Sequence, residues 1–344
     1  MTKYSEANKK QGPHAIGRFF AFLGVTLLCI LLILLGVVWV LERGPSPTVT
    51  GMFTRSVRET SAIRWLSNIF LTDEELEQYK SISTENRETE SVNTSLIHVA
   101  EGSSSTDAVQ LIDIAEGTCK GKLLIVADPK QVILGTSDEF VKKPGLQLTD
   151  MVAKYDGLAG INAGGFNDEN GTGNGGVPQG LVITNGEIVY GDGGAVYHLI
   201  GLDQDGILHV GTMSGKDAVA NGIQWAVSFV THDGLASSLI INGEVQQWNL
   251  GGGVNPRTAI GQRQDGALLL LVLDGRSINT LGATMQEVVN IMLEYGAVNA
   301  GNLDGGSSSV MVYDGEIINH CASVTGPRRI PTGFIVLKEV PSDA

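Results

Sequence analysis

The sequence predicts an α+β fold, a mostly antiparallel sheet with few helices, preceded by one N-terminal transmembrane helix. Three observations carry this expectation. Phe19 to Leu41 is a run of 23 residues without a charged side chain; as a helix it would be about 35 Å long, enough to cross a bilayer. Beyond Val109, short apolar runs repeatedly flank Asn-Gly or Asp-Gly pairs, the turn chemistry of antiparallel hairpins. In that same region only the stretch after Thr284 carries a strong helix signature.

The apolar run ends Val38-Trp39-Val40-Leu41-Glu42-Arg43, with Trp39 suited to a membrane interface. A cleaved signal peptide would have a shorter apolar region and end at small residues, so an uncleaved anchor over 19–41 is expected. Lys3, Lys9, Lys10 and Arg18 precede the span against the single acid Glu6. The positive-inside rule therefore places residues 1–18 as a cytoplasmic tail and everything after Leu41 outside the cell. The net charge of −14 disfavours nucleic acid as a partner; the membrane is met through residues 19–41.

Residues 42–107 read as a helical stalk followed by a flexible linker. Gly44-Pro45-Ser46-Pro47 stiffens the exit from the span. Met52, Phe53, Val57, Ile63, Leu66 and Phe70 then recur at roughly helical intervals, with Arg55, Arg58 and Arg64 between them. Thr72 and Glu75 have capping-box spacing, so a short helix is expected to begin near Asp73. Ser81 to Asp107 is rich in Ser, Thr, Asn and Glu and nearly free of large apolar residues, the composition of a linker.

Residues 108–340 form the expected folded domain. Apolar runs flank Asp128-Pro129, Asn185-Gly186, Asp205-Gly206, Asn242-Gly243, Asp265-Gly266 and Asp314-Gly315. A capping box at Thr284 and Glu287 opens a helix that Gly296 closes, and a weaker helix is expected over Leu148–Tyr155. Cys29 lies in the span. For Cys119 and Cys321, two unpaired buried thiols are expected rather than one disulfide.

No Gly-x-Ser-x-Gly elbow or Walker loop is present, and the six histidines are scattered without metalloprotease spacing. Chemistry must therefore come from carboxylates, guanidinium groups, amides and hydroxyls. Arg257 and Arg276 stand where apolar runs break and suit two-pronged binding of an anion; either would also serve as a brace at a strand end. Asp304-Gly305-Gly306-Ser307-Ser308-Ser309 follows an apolar run and can offer a carboxylate, backbone N–H groups and hydroxyls to one anionic oxygen, or be a tight turn. Asp274, before Gly275, is the weaker carboxylate, with turn capping as its rival role. Asn162 opens a second glycine-rich wall. The sequence requires no cofactor; Asp168, Glu169 and Asn170 offer oxygen ligands to a divalent cation such as calcium, although an exposed polar loop explains them as well.

Six segments together resemble the phosphodiester glycosidase family: Asn162–Phe166, Asn255-Pro-Arg-Thr-Ala-Ile-Gly261, Asp274-Gly-Arg276, Gly282–Glu287, Asn302-Leu-Asp-Gly-Gly-Ser307 and Pro327–Thr332. The resemblance spans roughly Asp113 to Leu337. It departs in having Ser307 where the family often has a third glycine, and one aromatic, Phe166, where two are common. It implies hydrolysis of a sugar-1-phosphodiester at the anomeric carbon; the expected place of the domain, anchored outside the cell, suggests glycans of the cell envelope or exopolysaccharide as the substrate. Asp304 would activate water or stabilise the oxocarbenium-like transition state, with Asp274 the second choice. Arg257 and Arg276 would hold the phosphate. Asn162, Thr258, Asn302, Gly305, Gly306 and Ser307 would bind substrate. The competing expectations are a surface glycan-binding or envelope-assembly protein without turnover, and cleavage of the P–O bond instead.

Overall fold

The computed structural model describes residues 13–79, 91–99, 109–168, 171–230, 237–247, 250, 252–323 and 326–339. The anticipated α+β architecture is present, and every strand pairing among these residues is antiparallel. The chain opens with helices α1 (Pro13–Arg43), α2 (Pro47–Arg58) and α3 (Asp73–Glu77). It continues through β1 (Val109–Glu116), β2 (Cys119–Val126), β3 (Val132–Thr136), α4 (Leu148–Lys154) and β4 (Gly157–Asn162). Next come β5 (Val182–Thr184), β6 (Glu187–Tyr190), β7 (Val196–Asp203), β8 (Leu208–Ser214), α5 (Gly215–Ala220) and β9 (Ile223–Ser228). The last part holds β10 (Ser238–Ile241), β11 (Glu244–Val245), β12 (Arg257–Arg263), β13 (Leu268–Leu273), α6 (Met285–Glu294), β14 (Ala297–Asn302), β15 (Met311–Tyr313), β16 (Glu316–Ile317) and β17 (Thr332–Leu337).

The strands form three sheets: a seven-stranded sheet ordered β1-β2-β13-β12-β14-β10-β11, and two five-stranded sheets ordered β16-β15-β4-β17-β3 and β6-β5-β9-β7-β8. Their inner faces share one core that includes Val126, Leu134, Ile161, Val182, Ile200 and Phe334. The outer faces are covered separately. Met285, Val288 and Met292 of α6 pack on the large sheet, Leu148 and Met151 of α4 on the second, and Ala218 of α5 on the third. Strand β13 shows why its sequence is continuously apolar: Leu268, Leu270 and Val272 face the shared core, while Leu269, Leu271 and Leu273 face α6. Alternate side chains of a central strand point to opposite faces, and here both faces are buried.

The capping boxes at Thr72–Glu75 and Thr284–Glu287 start α3 and α6. Five of the six turn signals close hairpins: β5–β6, β7–β8, β10–β11, β12–β13 and β15–β16. Asp128-Pro129 does not. Asp128 caps a short 3-10 turn that carries the chain from β2 in the large sheet to β3 in the second. Neither Cys119 nor Cys321 forms a disulfide; Cys119 is buried as expected, whereas Cys321 is only half-buried.

The segment after α1 docks on the domain. Ser56 Oγ accepts a hydrogen bond from Val254 N at 2.8 Å, and Arg43 bonds the Phe70 carbonyl and the Glu75 carboxylate. Within the stretch read as a linker, residues 91–99 also lie on the domain: Asn93 N donates to Asn242 Oδ1 at 2.7 Å, His98 N donates to the Gln264 carbonyl at 2.8 Å, and Ile97 is buried. The rest of that stretch up to residue 108 lies outside the described residues. Gly17–Arg43 is long and apolar enough to cross a membrane: its most apolar 18-residue stretch has a mean hydropathy of 3.0 and is not buried, and only the end of the helix, at Glu42 and Arg43, meets the rest of the chain.

Candidate active site

The C-terminal ends of β4 and β14 meet the start of β12, and their side chains and loops close around one cavity of about 840 Å³. That volume is in the range of a small-molecule site. Backbone bonds hold the end of β14 and the loop that follows it, among them one from Gly306 N to the Pro256 carbonyl at 2.9 Å. Asn302 N donates to the Ser237 carbonyl (2.7 Å), Leu303 N to the Thr258 carbonyl (2.8 Å) and Asp304 N to the Ala163 carbonyl (3.0 Å). Gly306, at φ 63°, lies against the Arg276 guanidinium: a Cβ there would stand 3.2 Å from its terminal nitrogen. Glycine suits the turn, and a side chain in its place would press on the guanidinium.

Asp304, Asn302, Gly305, Gly306, Ser307, Arg257 and Arg276 all border the cavity, as the sequence suggested. Asn162 and Thr258 do not. They are 1% and 0% exposed and lie behind the loop. Asn162 Nδ2 donates to the Asp304 carbonyl at 2.6 Å; its Oδ1 accepts from Thr258 Oγ at 2.9 Å and Val310 N at 3.1 Å. Their expected contact with substrate is replaced by a buried brace, because these polar atoms are already committed to the chain. Asp274 is also elsewhere engaged: its Oδ1 accepts from His320 N (2.9 Å) and Asn319 Nδ2 (3.3 Å), and it does not line the cavity. It serves as a long-range brace to the chain at residues 319 and 320, and not as the local turn cap the sequence suggested.

The charges around the cavity separate into pairs and exceptions. Arg257, 5% exposed, pairs with Glu59 at 3.0 Å and donates to the carbonyls of Ala283 and Gly253. Arg328 grips Asp168 with both terminal nitrogens (2.7 and 3.2 Å), donates to the Gly173 carbonyl, approaches Ser307 Oγ at 3.2 Å and lies over the Phe166 ring. Arg276 differs. It donates to Thr60 Oγ at 2.7 Å and Asn255 Oδ1 at 2.9 Å, both neutral, and makes no ion pair among the described residues. Burial and the neighbouring Arg257 charge push its guanidinium pKa down from its ordinary value. Its backbone sits at φ 52°, a left-handed conformation that costs a side-chain-bearing residue on the order of 1 kcal/mol.

Asp304 is the matching exception among the acids. Burial pushes its carboxyl up to about 7; the nearby Asp168 charge adds to this, while hydrogen bonds from the Ser308 side chain and Gly305 N–H, together with Arg328, oppose it. A carboxyl with a pKa near neutrality is matched to proton transfer at physiological pH. Asn302 borders the cavity, and its Oδ1 is buried with no hydrogen-bond partner among the described residues. No group of three His, Cys, Asp or Glu side chains suited to a metal ion occurs among the described residues. Asp168 is taken up by Arg328 and by Gly173 N; Glu169 and Asn170 lie outside those residues.

Glu59 and Arg328 escaped the sequence reading as site residues, and Asp168, read there as a possible cation ligand, is the ion-pair partner of Arg328. Arg328 stood inside the Pro327–Thr332 motif, which was the available signal. Glu59 had none, since its partner Arg257 is 198 residues away.

The three-sheet antiparallel domain thus carries a cavity lined by carboxyl and guanidinium groups, a lining able to meet an anionic ligand. The phosphodiester glycosidase family model matches residues 155–337, more than half of the chain, and the protein belongs to that family. Among curated relatives, it is 44% identical over 66 residues to the SPbeta prophage-derived uncharacterized protein YomE of Bacillus subtilis, a match covering 19% of this chain and 10% of that one. It is 28% identical over 172 residues to the Bos taurus N-acetylglucosamine-1-phosphodiester alpha-N-acetylglucosaminidase, covering 44% of this chain and 32% of the relative. The chain thus spans a third or less of these relatives' lengths. The catalytic domain of the zebrafish N-acetylglucosamine-1-phosphodiester alpha-N-acetylglucosaminidase, solved auto-inhibited by its pro-peptide, has the same fold, with a TM-score of 0.55 at 20% identity over 70% of this chain and 86% of that one.

Proposed function

We propose that the protein is a membrane-anchored hydrolase that cleaves a sugar-1-phosphodiester at the anomeric C–O bond. The observation that carries this reading is the pairing of exceptions in one cavity: Arg276, a guanidinium with neutral partners, and Asp304, a carboxyl held near neutral pKa. A phosphodiester has a single negative charge for Arg276 to bind. In the reaction water adds to the anomeric carbon while the bond from that carbon to the phosphate oxygen breaks. Asp304 takes the proton of the attacking water, and the phosphate monoester leaves with the bonding electron pair. Because phosphate is a good leaving group, little acid assistance is needed on that side. Asn302 Oδ1 accepts from a sugar hydroxyl or amide.

The helix Gly17–Arg43 supports a single span with the catalytic domain outside the cell and residues 1–18 in the cytoplasm, which places envelope or exopolysaccharide glycans within reach. The printed substrate of the bovine relative makes an N-acetylglucosamine-1-phosphodiester the first compound to test. Full-length protein in detergent should release the sugar from its methyl phosphodiester, and Asp304→Asn should not. In 18O-labelled water the label should enter the sugar. Label in the phosphate would overturn C–O cleavage, and ligand binding with no turnover would favour a glycan-binding protein instead.

A further inference from the structure

The family match begins at residue 155, yet one wall of the cavity comes from far upstream, from Glu59, Thr60, Ala62 and their neighbours. This segment is seated more closely than side chains on the opposing loops would permit. A Cβ on Gly252 would stand 2.2 Å from Glu59 Oε1, one on Gly253 would stand 2.2 Å from Ser56 Oγ, and one on Gly171 would be 3.0 Å from Ala62 Cβ. Three glycines on two separate loops accept the same segment. Its polar groups then reach the site: Glu59 Oε2 accepts from Asn255 Nδ2 at 2.6 Å and pairs with Arg257, while Thr60 Oγ accepts from Arg276. Asn255 Oδ1 accepts from Arg276 in turn, so one amide links the Glu59 carboxylate to that guanidinium. With the segment in place the cavity of about 840 Å³ stays open, so the segment walls the site and does not fill it.

We propose that Ser56–Arg64 is a built-in part of the substrate site and that Glu59 is its specificity-determining positioning residue. Of the four arginines that line the cavity, Arg328 is paired with Asp168, Arg64 donates to the Arg58 carbonyl, and Arg257 and Arg276 are close enough for their charges to interact. Glu59 neutralises Arg257, so that of this interacting pair it is Arg276, with its neutral hydrogen-bond partners, that meets the single charge of a phosphodiester. Without that carboxylate a second buried guanidinium would face the cavity and favour a doubly charged phosphate monoester, the class of the reaction's product. Glu59 therefore sets preference for diester over monoester and helps the product leave. The inference takes the ligand class from the phosphodiester reading above.

The test compares wild type, Glu59→Asp and Glu59→Gln as full-length chains at pH 8, where a monoester with its second pKa near 6 is a dianion. Calorimetry with methyl phosphate and dimethyl phosphate reads the preference without requiring turnover. Glu59→Gln should bind methyl phosphate roughly tenfold more tightly relative to dimethyl phosphate, the scale of one partly screened charge in a buried site. Glu59→Asp, which keeps the charge, should restore most of the wild-type ratio. An unchanged ratio in Glu59→Gln overturns the proposal. So does a rise in kcat/KM on the diester, which would mean that the carboxylate stands where substrate must go. If Glu59→Gln does not fold, Gly253→Ala decides: it pushes Ser56 from its seat and should shift the ratio the same way, and no shift overturns the proposal. A shifted ratio in a protein that hydrolyses no sugar phosphodiester supports this inference while sinking the hydrolase reading.

Discussion

Asn162 and Asp304 are 142 residues apart, and the amide of the first holds the main chain of the second: Nδ2 donates to the Asp304 carbonyl at 2.6 Å. The other end of the amide accepts from Thr258 and Val310. One buried side chain therefore ties β4, β12 and the loop after β14 together. Asn162→Ala would leave the Val310 N–H without its acceptor, Thr258 Oγ with Ser309 Oγ alone, and the Asp304 carbonyl without its amide donor. The expected loss is about 2–4 kcal/mol of unfolding free energy, read from urea denaturation. At temperatures where the variant is folded, kcat should fall more than KM rises, because the carboxyl is displaced and the phosphate contact is not.

Asp304 is placed for chemistry at a cost in stability. Its ordinary pKa is 3.8 and its folded value about 7, so between those values the folded state holds a proton that the unfolded state has lost. Stability accordingly falls as pH rises through that window and levels off above it. Asp304→Asn removes a penalty of up to about 4 kcal/mol at high pH. The Tm difference between variant and wild type should be larger at pH 8 than at pH 4, while turnover drops by at least roughly 100-fold, the contribution of general acid–base assistance. A Tm difference independent of pH would remove the argument for a buried, neutral carboxyl.

The same shift predicts the pH profile. As the group that accepts a proton from water, Asp304 must be ionised in the free enzyme, so kcat/KM should rise with an apparent pKa near 7 and then plateau. A falling limb near 7 would assign it the role of proton donor.

The two arginines should separate experimentally. Arg257→Ala leaves Glu59 buried without its counter-charge and should cost about 3–5 kcal/mol of stability. Arg276→Lys should fold well, since its partners are neutral, and should weaken binding of the phosphodiester about tenfold through loss of the planar guanidinium. Chemical denaturation and the KM-against-kcat split distinguish the two.

Asp274 provides the control. Its acceptor oxygen serves the His320 N–H, a task the side-chain oxygen of asparagine also performs. Asp274→Asn should keep turnover within about threefold of wild type, the range expected when no mechanism for a large effect is present. A loss comparable to that of Asp304→Asn would return Asp274 to the catalytic role.

Much of the fold was legible because its signals are local. A capping box needs only a threonine and a glutamate three residues apart, and Thr284 and Glu287 suffice to start α6. The partition into three sheets was not legible, since Asp128-Pro129 resembles a hairpin turn and yet passes the chain between sheets. The site divides in the same way. Glycines beside Asp304 and Arg276 mark backbone that must turn sharply, and those two residues do border the cavity. Asn162 and Thr258 carry similar polar signals but point inward, a distinction that depends on which strands converge. Glu59 lies in a stretch whose apolar spacing reads as a helix, and its role exists only once Arg257 has folded against it.

The left-handed backbone at Arg276 has a consequence for how this chain tolerates change. Glycine would adopt φ 52° without strain but would forfeit the bonds to Thr60 and to buried Asn255, so the relief of backbone strain and the loss of those bonds oppose each other in Arg276→Gly. The chain thus carries its guanidinium on a turn whose backbone alone would favour glycine.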